Sequence, residues 1–523
     1  MKNYKNTYRL IVVFSIVLFF GCTDHFEELN TPPTAVVEIN PDFTFSESIR
    51  MDNINYNYEW INNRLFGGWV QHWANVTLDN GRPNYYMPDR RIDDEMWMHF
   101  YQNVLKNLER TQALLLDLAD GDENNPEIRS RLAIVRIYET LPFEKLTAAY
   151  GDIPYFQGAR GMDGNSFPEY DPQSEIYPEM LQRLDQNMAL LNEQDLSFGD
   201  ADYFYSGNVE NWRKLGNAIK LRLGMRISNA DPALAEQVVT QAMQGPLIAS
   251  DAESALLNTV ANNGPDETAH PITREMRAPD IKSRPGMHLV NMLKERDDPR
   301  LTLIAEPTQE SKAVYAQTGD PDDLIFEGIR PNMTVEQYDD LNLTRVSEVA
   351  LDIWANEDLN VPVHIFTHSE VLFLQAEAAL KGWGASEDDA EAFYREGIRS
   401  ALQMPPYNIS DQEVNAYLDE HGTLSGSAED KLEQIHNQKY ISLFTKGLEA
   451  YFEWRRTGLP VLDPGDRTDN VTNGVIPRRA YYSQIELSLN GANLQTAVSR
   501  QGEDHPLTRM WIDPEGAATV LSR

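Results

Sequence analysis

The chain's 523 residues suffice for roughly two to four ordinary domains or one extended helical array, and 41% hydrophobic content with nine tryptophans supplies a substantial core, so disorder is not the default reading. Its 81 acidic residues against 45 basic ones leave a net charge of -36, a field that repels phosphate backbones and anionic lipid and argues against general nucleic-acid binding. The single cysteine excludes an internal disulfide and a Cys-rich metal site.

Lys2, Lys5 and Arg9 precede an apolar run from Leu10 to Phe20 that only Ser15 interrupts. As a helix the run spans roughly 16 Å, against about 30 Å of bilayer hydrocarbon. It therefore reads as a secretory signal over residues 1–21, with a basic region and an apolar core. Gly21 and then Cys22 follow, the order of a lipoprotein signal, which predicts cleavage and acylation at Cys22. Each buried CH2 contributes about 0.8 kcal/mol, so two or more acyl chains anchor firmly where one does not. Residues 22–45, with Pro, Thr and acidic residues and little periodicity, read as a lipidated tether.

Beyond the tether helical spacing dominates, and 46–523 reads as a single helical domain. In "EMWMHFYQNVLKNLERTQALLLDLA" the residues Trp97, Phe100, Tyr101, Val104, Leu105, Leu108, Leu115 and Leu116 recur at intervals of three and four. After the polar turn "DGDENNPE" a second helix ends at Gly151, which makes an antiparallel pair. Three further pairs follow, over 174–193 with 208–229, 368–383 with 386–403, and 411–422 with 428–458. Trp212, Leu215, Gly216 and Ile219 reproduce the Trp-x2-Leu-Gly-x2 spacing of tetratricopeptide repeats, with Ile in place of Tyr, and the glycine predicts close approach of a neighbouring helix. The spacing between pairs is irregular, so the predicted fold class is mainly α, a degenerate array of tetratricopeptide-like pairs. Between about 245 and 365 Pro and Gly become frequent and strand-like stretches short, which marks a loop-rich insertion. The tail after 457 is likewise rich in loops.

No phosphate-binding Gly-rich loop, His-Glu-x-x-His pair or Gly-x-Ser-x-Gly elbow appears. His364 and His368 lie four apart, but "VHIFTHSE" reads as a short strand entering a helix capped by Thr367 or Ser369, not as a metal site. Asp120, Asp122 and Asn124 mimic the start of a calcium loop, yet Asn125 replaces the needed glycine and Arg131 the closing acid, so a solvated turn is predicted. Asp320, Asp322, Asp323 and Glu327 read as acidic surface. No cofactor or metal is expected.

Aromatic residues carry more information. "GGWVQHWANVTLDNGRPNYYMPDRR" sets Trp69, Trp73, Tyr85 and Tyr86 around a polar loop containing Asn75, Asn80, Arg82 and Asn84. Flat rings suit the CH face of a sugar, while Asn and Arg meet its hydroxyls. The glycan-binding candidates are Trp73, Asn75, Arg82, Tyr85, Tyr86 and, in the polar stretch "DIWANEDLN", Trp354. The competing reading of each ring is core packing, which is favoured for Trp97, Trp212, Trp383 and Trp454 at or beside helical spacing.

Several stretches together carry a family resemblance: Cys22 with its short acidic follow-on, "TLPFEKLTAAYGDIPYFQGA", "NWRKLGNAIKLRLGMRIS", "SEVLFLQAEAALKGW", "IHNQKYISLFTKGLEAYFEWRRTGLPVL" and "IPRRAYYSQIELSLN". In order and content the chain resembles the SusD/RagB family of outer-membrane nutrient-binding lipoproteins, in its SusD-like subgroup. The resemblance implies a mostly helical, tetratricopeptide-like fold and a lipid-anchored protein at the cell surface. It also implies a SusC-like, TonB-dependent outer-membrane barrel as partner and an oligo- or polysaccharide as ligand. Asp24, Glu27 and Glu28 resemble the acidic signal that sends such lipoproteins to the surface. No site residue carries over except Cys22, and the implied role is not enzymatic. Two other readings stay open at this stage: an exported glycoside hydrolase, since 81 acids permit many carboxylate pairs, and a peptide-binding helical scaffold.

Overall fold

Helix α1, Pro41–Ile54, opens the fold and buries Phe45, Ile49 and Ile54 on one face. In the computed structural model the described residues are 39–75, 91–159, 166–260, 268–277, 283–356 and 358–514. After α1 the chain turns through a π-helical segment, Trp60–Phe66, to a short strand β1, Trp73–Asn75. The helix predicted over 95–119 forms in three parts: α2, Arg91–Met98, a π-helical segment His99–Leu105, and α3, Lys106–Leu118. The wider i→i+5 turn explains the departure from plain helix, because it brings His99, Phe100, Val104 and Leu105 to the interior together.

The first predicted pair closes with α4, Arg129–Tyr150, and the second is α5, Gln173–Leu190, with α6, Val209–Arg226. Gly216 does what its spacing predicts. A Cβ there would lie 2.9 Å from Met188 Cγ on α5 and 3.5 Å from Ile137 on α4, so three helices meet where only hydrogen fits. Trp212 is buried and donates its indole N–H to Asp202 at 2.6 Å. A helix the sequence reading did not include, α7, Pro232–Gln244, packs on α6. Its start carries a clear signal: Asp231 accepts from Leu234 N, and Pro232 occupies the first turn.

Strand β2, Ala255–Leu257, leads into the insertion, which holds α8, Pro271–Arg277, strand β3, Ser283–Pro285, α9, Met287–Lys294, and α10, Gln309–Thr318, among shorter turns. The insertion ends at β4, Val363–Phe366, which pairs antiparallel with β2, so its two ends are stitched side by side. Its middle is stitched elsewhere, since β3 pairs antiparallel with β1.

Thr367 accepts from Glu370 N and caps α11, His368–Leu380, as its position predicts. Against α11 packs α12, Ala390–Gln403, with Gly397 facing the Phe373 ring. Next, α13, Asp411–His421, packs on α12. The helix predicted to run through 428–458 is instead two: α14, Ala428–Ser442, and α15, Gly447–Thr457. The break is dictated from outside. Asn62 accepts from Leu448 N at 3.2 Å and donates to Thr445 O at 2.9 Å, so a residue hundreds of positions away caps α15. A Cβ on Gly447 would lie 2.0 Å from Asn62 O and 2.7 Å from Gly67 N, backbone atoms that cannot move aside.

The tail forms α16, Gln484–Leu489, and α17, Gly491–Gln501, and is otherwise irregular. It is pinned to α4 and α5 by Tyr482 OH on Asp152 O at 2.7 Å, Arg500 on the Asp152 carboxylate at 2.6 Å, and Ile512 N on Gln173 at 3.0 Å. Residues from Pro41 onward form one compact unit whose large core runs from α1 through α15 to the tail. No helix among the described residues is long and apolar enough to cross a membrane.

Candidate functional site

The polar aromatic stretch singled out in the sequence follows β1. Asn75, the last residue of β1, pairs with Ser283 at the start of β3. The approach to this point is fastened by Tyr440, whose hydroxyl donates to Val70 O at 2.9 Å while its carbonyl lies 3.0 Å from His72 Nε2. Gly286 N donates to His72 O at 2.9 Å. On one side Ala74 is covered by Ile329, Met333 and Val346 of the insertion, which form a small core of their own. The chain re-enters at α2, where Tyr150 OH donates to Asp93 O at 2.9 Å and Asp94 accepts from Ser483 Oγ at 2.8 Å and Gln484 N at 2.6 Å. Both roots of the loop are thus tied to distant parts of the chain.

Arg82, Tyr85 and Tyr86 lie outside the described residues, as does Cys22, and of Asn75 only the backbone position is described. The two tryptophans correct the sequence reading. Trp73 is 1% exposed and lies over the Phe444 ring at 4.7 Å. Trp354 is 0% exposed, donates its indole N–H to Leu303 O at 2.9 Å and packs between His270 and Phe444. Neither offers a ring to a ligand. Trp354 sits in a short helical turn, Leu351–Trp354, so the polar stretch around it conceals one inward position. Trp97, Trp212 and Trp454 are buried as predicted, while Trp383 is half-buried with Lys381 5.3 Å from its ring centre.

What the sequence reading missed is a buried ionic hub centred on α15. Glu449 binds Arg226 of α6 at 2.6 Å, and Arg222 of the same helix bonds to Glu144 of α4 and lies 3.2 Å from Glu370 of α11. Lys446 bonds to Glu370. Burial alone would raise Glu370, but Lys446 and Arg222 beside it hold it down at about 2. One turn further along α15, Glu453 and Arg456 meet Glu377 of α11 and Lys439 of α14. The spacing was visible: Glu449, Glu453 and Arg456 share one helix face, as do Arg222 with Arg226 and Glu370 with Glu377. A charged stripe within an otherwise aromatic helix is the signal.

The acidic and imidazole groups that suggest chemistry are structural. Glu377, His436 and Glu453 approach one another with His436 Nε2 3.6 Å from Glu377 and Nδ1 3.7 Å from Glu453. The site does not fit a metal, because Arg456 already bridges both carboxylates and Lys439 lies 3.2 Å from Glu453. Burial lowers His436 to about 4 against the pull of the two carboxylates, so the ring is neutral. His364 Nε2 lies 2.7 Å from Pro405 O and His368 Nδ1 3.2 Å from Asp251, so the two rings serve different neighbours. Asp122 accepts from Asn124 N, and Asp320 caps the turn Pro321–Asp323 through Asp322 N.

Glu59 is the carboxylate most altered in the direction of a general acid. Burial, with Glu275 nearby, lifts it to about 7 against the pull of Arg64 and Arg274. Its oxygens are taken by Arg64 and Arg274, both at 2.9 Å. Glu275 accepts from Asn63 at 3.2 Å and from Ser283, which fastens the first residue of β3. The pair is a brace under the loop root, with its oxygens turned to protein donors.

The sequence pattern of the SusD-like family, described as starch-binding and associating with the outer membrane, matches residues 33–483. Among solved structures, a chitin-binding protein shares 27% identity at a TM-score of 0.76, covering 91% of this chain and 100% of its own. A chitin-binding SusD homologue from Flavobacterium johnsoniae shares 22% identity at 0.75, covering 91% and 99%. A SusD-like protein from Bacteroides thetaiotaomicron shares 20% at 0.74, covering 92% and 100%. The latter two are alike in fold alone. A search of curated proteins returns no match.

Proposed function

Because the chain belongs to the SusD-like family, we propose that it is a non-catalytic cell-surface protein that captures oligo- or polysaccharide and delivers it to a SusC-like, TonB-dependent barrel. The family match over residues 33–483 carries this reading. Lipid on Cys22 anchors the protein in the outer membrane, and the stretch between it and α1, shorter than the 22–45 read from the sequence because the helix already starts at Pro41, gives it reach. The glycan meets the loop beyond β1, where Asn75 and Arg82 address hydroxyls and Tyr85 and Tyr86 supply ring faces. With Trp73 and Trp354 in the core, the tyrosines carry the stacking.

Two observations favour this over the alternatives. α15 is packed within the helical array, with Glu449, Glu453 and Arg456 paired with α6, α11 and α14, so its charged face is not free to address a peptide. The Glu59–Glu275 pair, the best match to a hydrolytic dyad in electrostatics, is buried and bonded to arginine, asparagine and serine. The chitin-binding relative and the net charge of -36 both favour neutral amino-sugar chains as ligand. Isothermal titration of the purified chain with chito- and malto-oligosaccharides tests the proposal. Saturable binding to at least one series is expected, and silence across neutral glycans of every linkage contradicts it.

A further inference from the structure

At the centre of the hub lies a cavity of about 30 Å³ where several parts of the chain converge. Asn62 lines it from the π-helical segment after α1, Lys145 from α4, Arg222 from α6 and His364 from β4, with Lys446 and Glu449 from the α15 end. Leu141, Ile365, Leu448 and Phe452 add apolar lining, and the charges around it cancel: Asp52, Glu144, Glu370 and Glu449 face Lys145, Arg222, Arg226 and Lys446. Arg222 is 5% exposed, and its Nε has no hydrogen-bond partner although both terminal nitrogens are engaged. Lys145 brings three donors and has Asp52 at 2.7 Å as its one ion-pair partner.

We propose that this cavity is a hydration site, holding internal water as a constitutive part of the hub. The space exceeds the roughly 10–15 Å³ a water needs, and the walls supply more than the two to four polar partners that retain one. An ion is disfavoured by the charge balance, since either sign would leave an uncompensated charge in a low-dielectric interior. A water accepts from Arg222 Nε and from a Lys145 proton and donates to a carboxylate such as Glu449, so it adds a second tie beside the one Arg226 of α6 makes with Glu144 of α4 and Glu449 of α15. The inference stands apart from the glycan reading, since nothing in it depends on a ligand.

High-resolution crystallography of the full chain, with a parallel bromide soak, tests it. The expected result is an oxygen-sized peak in the cavity within hydrogen-bond distance of Arg222 Nε and at least one further polar group, with no anomalous bromide signal there. A cavity without density, or one that takes up bromide, overturns the proposal.

Discussion

Trp73 and Tyr85 lie twelve positions apart in one stretch of sequence, and the proposed function gives them opposite parts. Trp73 rests on Phe444 and is sealed from solvent, so Trp73→Ala removes core volume. A loss of about 3–5 kcal/mol in unfolding free energy is expected from urea melts, and likewise for Trp354→Ala. In contrast, Tyr85→Ala and Tyr86→Ala leave stability near wild type and weaken glycan binding by at least ~1 kcal/mol each, about fivefold in Kd by titration calorimetry. If instead Trp73→Ala binds worse while melting normally, the assignment of ring to core is wrong. The burial of Trp73 and Trp354 was not legible in the sequence. Tyr85 and Tyr86, adjacent after Pro83, lack a helical period, whereas Trp73 belongs to a three-residue strand and Trp354 to one turn of helix, both too short to show any period.

Among elements, α15 organises the rest. Its start is pressed against the backbone of residues 62–67, and its charged stripe holds α6, α11 and α14. Two glycine substitutions separate kinds of close approach. At Gly216 the nearest atoms belong to the flexible Met188 side chain, so Gly216→Ala is expected to cost about 1–3 kcal/mol. At Gly447 they are backbone, so Gly447→Ala costs more than Gly216→Ala; equal melting midpoints for the two contradict this packing. Removing one member of a buried ion cluster strands its partners, and Arg456→Met is expected to lose about 3–5 kcal/mol because Glu377 and Glu453 both bond to it. Long periodic elements such as α4 to α6, α11 and α12 were readable from spacing and caps. The break before α15 was not, because its cap, Asn62, comes from a distant part of the chain. The charged stripe of α15 is visible in its sequence, but only the packed array shows Glu449, Glu453 and Arg456 each answered by an opposite charge.

At the scale of the whole molecule, burial sets the pH response. His72 and His270 are driven by burial to about 3, and His99, His288, His364 and His436 to about 4. These groups are neutral when folded but take up protons below about 6.5 once unfolded, so their contribution is complete above that value and is lost as pH falls through 6.5 toward 4. Glu370 and Glu377, held near 2 by neighbouring cations against burial, extend the loss below 4.5. Glu59, lifted by burial to about 7, works the other way, its contribution fading as pH rises from about 4.5 to 7. Glu449, Asp171 and Asp202 are also raised by burial, but six histidines with the larger depressions outweigh these carboxylates, so urea midpoints are expected to fall from pH 6.5 to 4; a flat profile contradicts the buried, neutral state of the rings. At the brace under the loop root Glu59 and Glu275 are bonded to protein donors, and capture of glycan without cleavage is the proposal that the next experiment tests. The most direct test incubates the purified chain with the glycan it binds best, following affinity by calorimetry and new reducing ends over a long incubation. Saturable binding with no rise in reducing ends is expected, and a steady release of shorter products by the purified chain would contradict capture without cleavage.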